Sequence, residues 1–365
     1  MKLTILKYAT LSAAVMLTGS FMPASVAAMD YAGKKVSIIV GAKPGGGADK
    51  YARMFAPYFA KHLPGKPTVL VINKPGGANL KAANWFHKNA KPDGMMAVAI
   101  TTSMHTHMVF GGKKMKYNEL EWPTVILSPH GSVVYAHKKT GVTGKDIVAD
   151  INALKKAKVL NTSQKNPTSG EIRAAVAYDM LGIENLKWVF GLSVGKRRQS
   201  IMRGELQISM DTARSYLKSV MKYVKSGDVV PLMSFGFYEK GKFVRDPAFP
   251  DLPTVGEVYE KLHGKKPSGR KWDMLAHFVQ MGVMASKAIA LPPKTPANIV
   301  NVWIDTAKRI TKDKKFKKVA KKLLGAYPQA FGKDAKEIIE AAVNVKPGMK
   351  KFMREWVKTE FKAGI

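Results

Sequence analysis

VSIIVGAKPGGGADKYARMFAPYFAKHL, residues 36 to 63, joins an apolar run to a glycine-rich turn and then to an amphipathic segment. Residues 36–42 have the β-branched, continuously apolar character of a strand covered on both faces. From Asp49 the period becomes helical and sets Tyr51, Phe55, Tyr58 and Phe59 near one face. Between the two, Gly45, Gly46 and Gly47 let a backbone come close to a neighbour or a ligand. The pattern then repeats. TVLVIN (68–73) reads as strand, KPGGAN as turn and LKAANWFHKNA as helix, and MAVAITT (96–102) is a third strand running into a polar loop. A β-α-β-α-β order with short glycine-bearing turns predicts a parallel sheet covered by helices. In open sheets of this kind ligands sit beyond the carboxyl ends of the strands. Residues 45–47, 76–79 and 101–103 all fall at such ends.

The remaining sequence continues the alternation. Strand-like runs at 124–139, 159–164, 206–212 and 229–236 are separated by helical segments at 145–157 and 171–183, the latter opening after Thr168 and Ser169. KRRQSIMRG reads as a helix and LKWVFGL as a strand. A Pro-rich loop, strand-like FVQMGVMAS and two or more helices follow. TKDKKFKKVAKKLL (311–324) spaces Phe316, Val319, Ala320, Leu323 and Leu324 as one apolar face of a helix whose other face is lysine. The run at 229–236 is placed to cross back to the first unit. This predicts two α/β lobes around a cleft: 29–128 with 235–365 as the first, and 129–234 as the second. Residues 1–28 are set apart, with Lys2 and Lys7 before a short apolar run and small residues up to Ala28. They read as a cleaved secretory signal peptide, so the mature chain is expected in an exported compartment, a periplasm.

Composition removes several classes of function. The chain of 365 residues has no cysteine, which excludes disulfides, thiolate metal sites and cysteine nucleophiles. Its formal charge is +34, or +32 without Lys2 and Lys7. The basic residues are spread over the whole length and no nucleic-acid motif accompanies them, so no nucleic-acid partner is expected. KPGGGADK lacks the GK(S/T) of a phosphate loop and the spacing GxGxxG of a dinucleotide fold, so no nucleotide cofactor is expected. What stands, on the residues alone, is either a helix N-terminus suited to a carboxylate or phosphate, or an empty tight turn. His105 and His107 beside Met104 and Met108 have the composition of a copper site, but no acid lies near them and no metal is assigned. Ser163, Ser169 and His130 compose a triad only on paper, and no GxSxG or HExxH occurs, so no enzyme activity is expected.

The same residues carry a family pattern. AKPGGGADKYAR, then NKPGGAN and KPDG, and later RGELQISMDT, RDPAFPDLPTVGEV and LPPKTPANIVNVWIDTAKRITKDKKF occur in the order of the Bug-type solute-binding proteins, receptors of tripartite tricarboxylate transporters. The chain resembles that family from about residue 34 to residue 330. The resemblance implies a two-lobed α/β periplasmic-binding-protein-like fold (type II), its ligand cleft between lobes joined by two crossing segments. It also implies a small organic acid (mono-, di- or tricarboxylate) as ligand, integral-membrane permease subunits as partners, and action as a monomer without a cofactor. Carried onto this sequence, the first loop is Ala42, Gly45, Gly46, Gly47 and Asp49, and the second is Thr101, Thr102 and Ser103, with Asn79 from the intervening turn. The opposite lobe supplies Thr162, Ser163, Thr168 and Ser169, and Asp211 from a strand.

Two departures bear on the ligand. Lys43 stands where the family has an apolar or aromatic residue, and VFGLSVGKRRQ brings Lys196, Arg197 and Arg198 toward the expected cleft. Arg197 is then either a bidentate partner for an extra negative charge on the ligand or a solvated residue at a helix start. Two other readings compete with transport: a receptor presenting its ligand to a membrane sensor kinase, and a basic envelope-associated adhesion protein without ligand.

Overall fold

The computed structural model describes residues 29–239, 242–325 and 327–362. The expected signal peptide lies outside them. The opening unit runs β1 (Lys35–Val40), α1 (Gly47–His62), β2 (Thr68–Asn73), α2 (Leu80–Asn89), β3 (Met96–Thr101) and α3 (Thr102–Phe110). β1 pairs in parallel with β2 and with β3, as the alternation predicts. Helix α1 covers the sheet because its apolar positions recur every three to four residues and bury Tyr51, Phe55 and Phe59. Each buried aromatic contributes roughly 2–3 kcal/mol of transfer free energy. Phe59 meets Trp303 with ring centroids 4.9 Å apart, and Phe55 meets Phe316 at 5.0 Å.

β4 (Thr124–Ser128) is followed by a three-residue link, 129–131, into a second group of elements. These are β5 (Ser132–His137), α4 (Ile147–Lys156), β6 (Leu160–Gln164), α5 (Ile172–Met180), β7 (Leu186–Phe190), α6 (Val194–Met202), β8 (Ile208–Thr212), α7 (Ala213–Ser219), α8 (Met221–Lys225) and β9 (Val229–Ser234). A hairpin follows, β10 (Phe237–Glu239) and β11 (Lys242–Val244), then α9 (Val255–His263) and α10 (Arg270–Val279). The chain continues with β12 (Lys287–Ala290), α11 (Ala297–Lys312), α12 (Lys314–Leu323), β13 (Ala330–Phe331), α13 (Gly332–Val343) and α14 (Pro347–Phe361).

The larger sheet has the order β13-β4-β12-β3-β1-β2, and a separate three-stranded sheet has the order β8-β5-β9. β6 and β7 form a parallel pair beside the latter. This is mixed α/β architecture in two sheet-centred bodies; the chain leaves the larger sheet after Ser128 and rejoins it at Lys287, the intervening α9 and α10 packing on α4, α5 and β9 of the second group. The last helix spans the two. Arg354 on α14 donates to the Phe110 carbonyl at the end of α3 (2.7 Å), while Trp356 Nε1 donates to Asp179 on α5 (2.7 Å). Among the described residues no helix is long and apolar enough to cross a membrane.

Three local expectations are corrected. FVQMGVMAS is helical, completing α10 and making a π turn at Gln280–Met284, and the strand begins only at Lys287. A stretch buried on every side shows no period, so apolar content alone does not separate strand from helix. α5 begins at Ile172 with Glu171 at its N-cap, while Ser169 donates to the Asn166 carbonyl inside the preceding turn. The lysine-rich helix is the second of two, because Asp313 ends α11 and caps α12 through the amides of Lys315 and Phe316.

Candidate functional site

The glycine turn is built around a buried carboxylate. Asp49 accepts from the Gly45 amide (2.8 Å), the Asn73 side-chain amide (2.9 Å) and Arg53 Nε (2.9 Å). Asn73 also donates to the Ala42 carbonyl at 2.8 Å. Gly45 has φ +77°, a left-handed conformation that glycine adopts without strain. Asp49 thus holds the loop from behind, while Gly46 caps α1 and Gly47 opens it toward the cleft. Lys43 and Gly45 are exposed. Burial acts against the Asp49 carboxylate, but the Gly45, Asn73 and Arg53 donors outweigh it and hold its titration below the ordinary value. A group shifted down in this way stabilises the fold above its unfolded value and loses that contribution as pH falls through the folded one. Asp49→Ala is therefore expected to cost about 1–3 kcal/mol at pH 7 and progressively less as pH falls below the ordinary carboxylate range, measured by urea unfolding across that range.

The second loop is fixed through the neighbouring turn. Asn79, in a left-handed conformation, donates to Thr101 Oγ1 at 2.6 Å and lies tight against Gly41. Thr102 and Ser103 begin α3, so the polar loop expected after MAVAITT is a helix. That removes the shared strand face on which His105 and His107 would have combined. His105 is buried between Glu119 (2.8 Å) and the Ala285 carbonyl (2.7 Å), whereas His107 faces the carbonyls of Gly77 and Ala78.

The opposite wall is the carboxyl end of β6 and the turn after it. Thr162 and Ser163 are buried, and Ser163 Oγ and both polar atoms of Gln164 are buried without a protein partner. Thr168 donates its amide to Asn166 Oδ1. The turn meets the first wall directly: a methyl group placed on Gly170 would stand 3.0 Å from Thr102 Cγ2. Arg197 does not reach into the cleft. It donates to Glu171 (2.8 Å) and to the Ser163 carbonyl (3.2 Å), and Glu171 is drawn down to about 2, since Arg197 and Lys165 beside it overcome burial. Arg198 makes a fork on both oxygens of Asp211 (3.1 and 3.2 Å), which also accepts from Tyr135 OH (2.9 Å). Both arginines that looked available for a ligand are thus neutralised within their own lobe, and Lys196 is exposed.

The cations that do line the cleft are others. A narrow pocket lies between the two bodies, lined by Gly47, Tyr51, His130, Thr212, Arg214 and Lys287, with Leu323 and Leu324 at one side. Its enclosed part is ≈ 30 Å³, space for roughly two waters or one carboxylate. Lys287 opens β12 and stands in register with Thr101 on β3 and Ser128 on β4. Its stem reaches the first turn of α1, with Cε 3.9 Å from the place a methyl on Gly47 would occupy. Enclosure by protein, and then the charges of Arg214, Arg173 and Lys165, hold the Lys287 ammonium down to about 7. Burial, with Lys287 and Arg214 nearby, likewise keeps His130 well below its ordinary value, although the Ser128 and Leu323 carbonyls favour its protonation. Arg173 sits between the start of β5 and the end of β9, donating to Ser132 Oγ (2.6 Å) with its guanidinium 5.3 Å from the Phe235 ring centroid. Burial holds it down to about 10.

The sequence reading passed over Lys287, Arg214 and Arg173. Lys287 carried one signal, a lone cation between apolar runs in MASKAIAL; Arg214 follows the Asp211 strand directly.

No family model and no curated protein matches the sequence. Solved structures do. A TctC solute-binding protein from Polaromonas aligns with a TM-score of 0.62 at 17% identity, over 90% of this chain and 99% of that one. Rpa4515 of R. palustris, solved with adipate, gives 0.65 at 18%, over 91% and 98%. MatC from Rhodopseudomonas palustris, solved with bound malate, gives 0.59 at 17%, over 90% and 98%. The fold is that of the two-lobed periplasmic binding proteins.

Proposed function

We propose that this chain, with its periplasmic-binding-protein fold, is an exported receptor of the Bug type. It captures a small organic carboxylate between its lobes and hands it to membrane permease subunits, without chemistry on the ligand. The lobes in this reading are 29–128 with 235–365, and 129–234, hinged at the two crossings. The observation that carries the proposal is the convergence on one pocket of Gly47 from the glycine turn, Lys287 from the larger sheet and Thr212 and Arg214 from the second group, a set with cations and no carboxylate. The adipate of Rpa4515 and the malate of MatC support an acid of this size as ligand. Amides, hydroxyls and cations in a partly desolvated cleft orient a carboxylate, and closure of the lobes needs an open state of similar free energy.

A thermal-shift screen of mono-, di- and tricarboxylates tests this reading, together with native mass spectrometry of the purified protein. At millimolar ligand, an acid of micromolar Kd stabilises the fold by about 4 kcal/mol, an upward shift of several degrees. If no acid shifts the transition and the protein is retained on anionic polymers, the adhesion reading replaces this one.

A further inference from the structure

We propose that Lys287 and Arg214 form a charged seat for one anionic group of a ligand that carries two or more negative charges. The proposal deepens the receptor reading and rests on it. Among the described residues neither side chain has a carboxylate within ion-pair distance, whereas Arg197, Arg198 and Arg203 all do. The two cations come from opposite bodies, Lys287 from the larger sheet and Arg214 from the start of α7, and line the same pocket. An anion between them is bound only while the lobes are together, so it favours closure directly.

Every charged group acting on Lys287 is positive: Arg214 from α7, Arg173 from α5 and Lys165 from the turn after β6. His130, from the first crossing, also lines the pocket, while α1 lines it with Gly47, Tyr51 and Met54 and carries Lys50, whose positive charge acts on Arg214. Glu171 offsets part of the charge of Arg173 and Lys165, but Lys287, Arg214 and Lys50 together exceed what a single carboxylate neutralises, and a second charge on the ligand meets the excess. In the empty protein near pH 7 the Lys287 amine is partly deprotonated, and an anion beside it restores the ammonium. Binding therefore takes up about half a proton at neutral pH. Above the folded value each pH unit weakens affinity up to tenfold, or at most roughly 50-fold between pH 7 and pH 9.

The test is titration calorimetry of the full mature chain with succinate, citrate, butyrate and inorganic phosphate, in two buffers of different ionisation enthalpy at pH 6, 7 and 9. Lys287→Met and Arg214→Gln are measured alongside wild type, with Lys358→Ala, exposed on α14, as a variant outside the pocket. The expected result is that succinate or citrate binds at least tenfold more tightly than butyrate, with proton uptake at pH 7. Lys287→Met then weakens binding by about 30-fold or more and abolishes both the uptake and the pH dependence, and Arg214→Gln weakens it without abolishing uptake. Circular dichroism and unfolding midpoints establish that each variant is folded. Equal binding of succinate and butyrate, unchanged in Lys287→Met, overturns the seat and leaves the receptor reading intact. Binding of phosphate alone, lost in Lys287→Met, keeps the charged seat and overturns the carboxylate reading. No binding of any probe overturns both.

Discussion

Lys287→Met is expected to give a ligand-free protein that is more stable than wild type at pH 6 to 7. In the unfolded chain this lysine titrates at its ordinary 10.5, and in the fold at about 7. Above both values it is neutral in either state and contributes nothing. Between them the unfolded chain holds one more proton than the native protein, so wild-type stability rises with pH across that window. Below about 7 both states are charged and the native state bears the whole cost of an ammonium enclosed among cations. That cost is at most roughly 5 kcal/mol, reduced by water in the pocket to about 2–3 kcal/mol. Methionine has a similar stem and no charge, so it removes the cost without opening a cavity. Thermal unfolding without ligand at pH 6 and at pH 9.5 measures the effect. The variant should melt several degrees above wild type at pH 6, and the gap should narrow toward pH 9.5. A variant that is less stable at pH 6 would mean that the ammonium has a partner within the fold. A residue that destabilises the empty protein while lining its cleft is the usual mark of a site kept for binding.

Gly131→Ala is expected to be the most damaging of the small substitutions. A methyl on Gly131 would lie 1.7 Å from Asp246 Oδ2 and 2.3 Å from Tyr327 OH. Asp246 is fully buried, and its other oxygen accepts from Tyr327 OH (2.6 Å) and the Ala248 amide (2.9 Å). Tyr327 is wedged in turn, near-parallel to the rings of His130 and Phe237. Seating the methyl forces a buried acid away from its donors and moves the stack at the first crossing. Overpacking with a buried hydrogen bond lost costs about 3 kcal/mol or more. The control is Gly195→Ala in α6, where the added methyl meets nothing within 4 Å. There the gain in helix propensity should stabilise by about 0.5–1 kcal/mol. Urea midpoints of the two variants should move in opposite directions, and equal midpoints would refute the packing account of Gly131.

The opening βαβαβ unit was legible because three devices agree there: apolar runs of strand length, glycine turns at their ends, and helices with one apolar face. The turns at 45–47 and 76–79 consequently stand at the strand ends where the alternation placed them, whereas 101–103, also at a strand end, opens a helix. The failures have physical reasons. α3 follows β3 without a spacer, and TTSMHTHMVF mixes β-branched, polar and apolar residues with almost no amphipathic period. Residues 278–286 lack a period because they are packed on all sides. The pocket's cations were hidden by number. In a chain with 60 lysines and arginines, nothing in the sequence marks the few left without an acid. Arg197 and Arg198 looked eligible because the partners that neutralise them, Glu171 and Asp211, are distant in sequence and adjacent only in the fold.

β12 sits at the heart of the larger sheet, between β3 and β4, yet it belongs to a segment that follows the whole second group in the chain. Until residues 287–290 arrive, β3 and β4 have open edges, and the loop that must close is long. Pairings of such sequence separation make folding slow and expose strand edges to aggregation while they wait. The strand that ends the delay also brings Lys287. Closing the sheet and placing Lys287 at the pocket are therefore one event, because the same four residues do both.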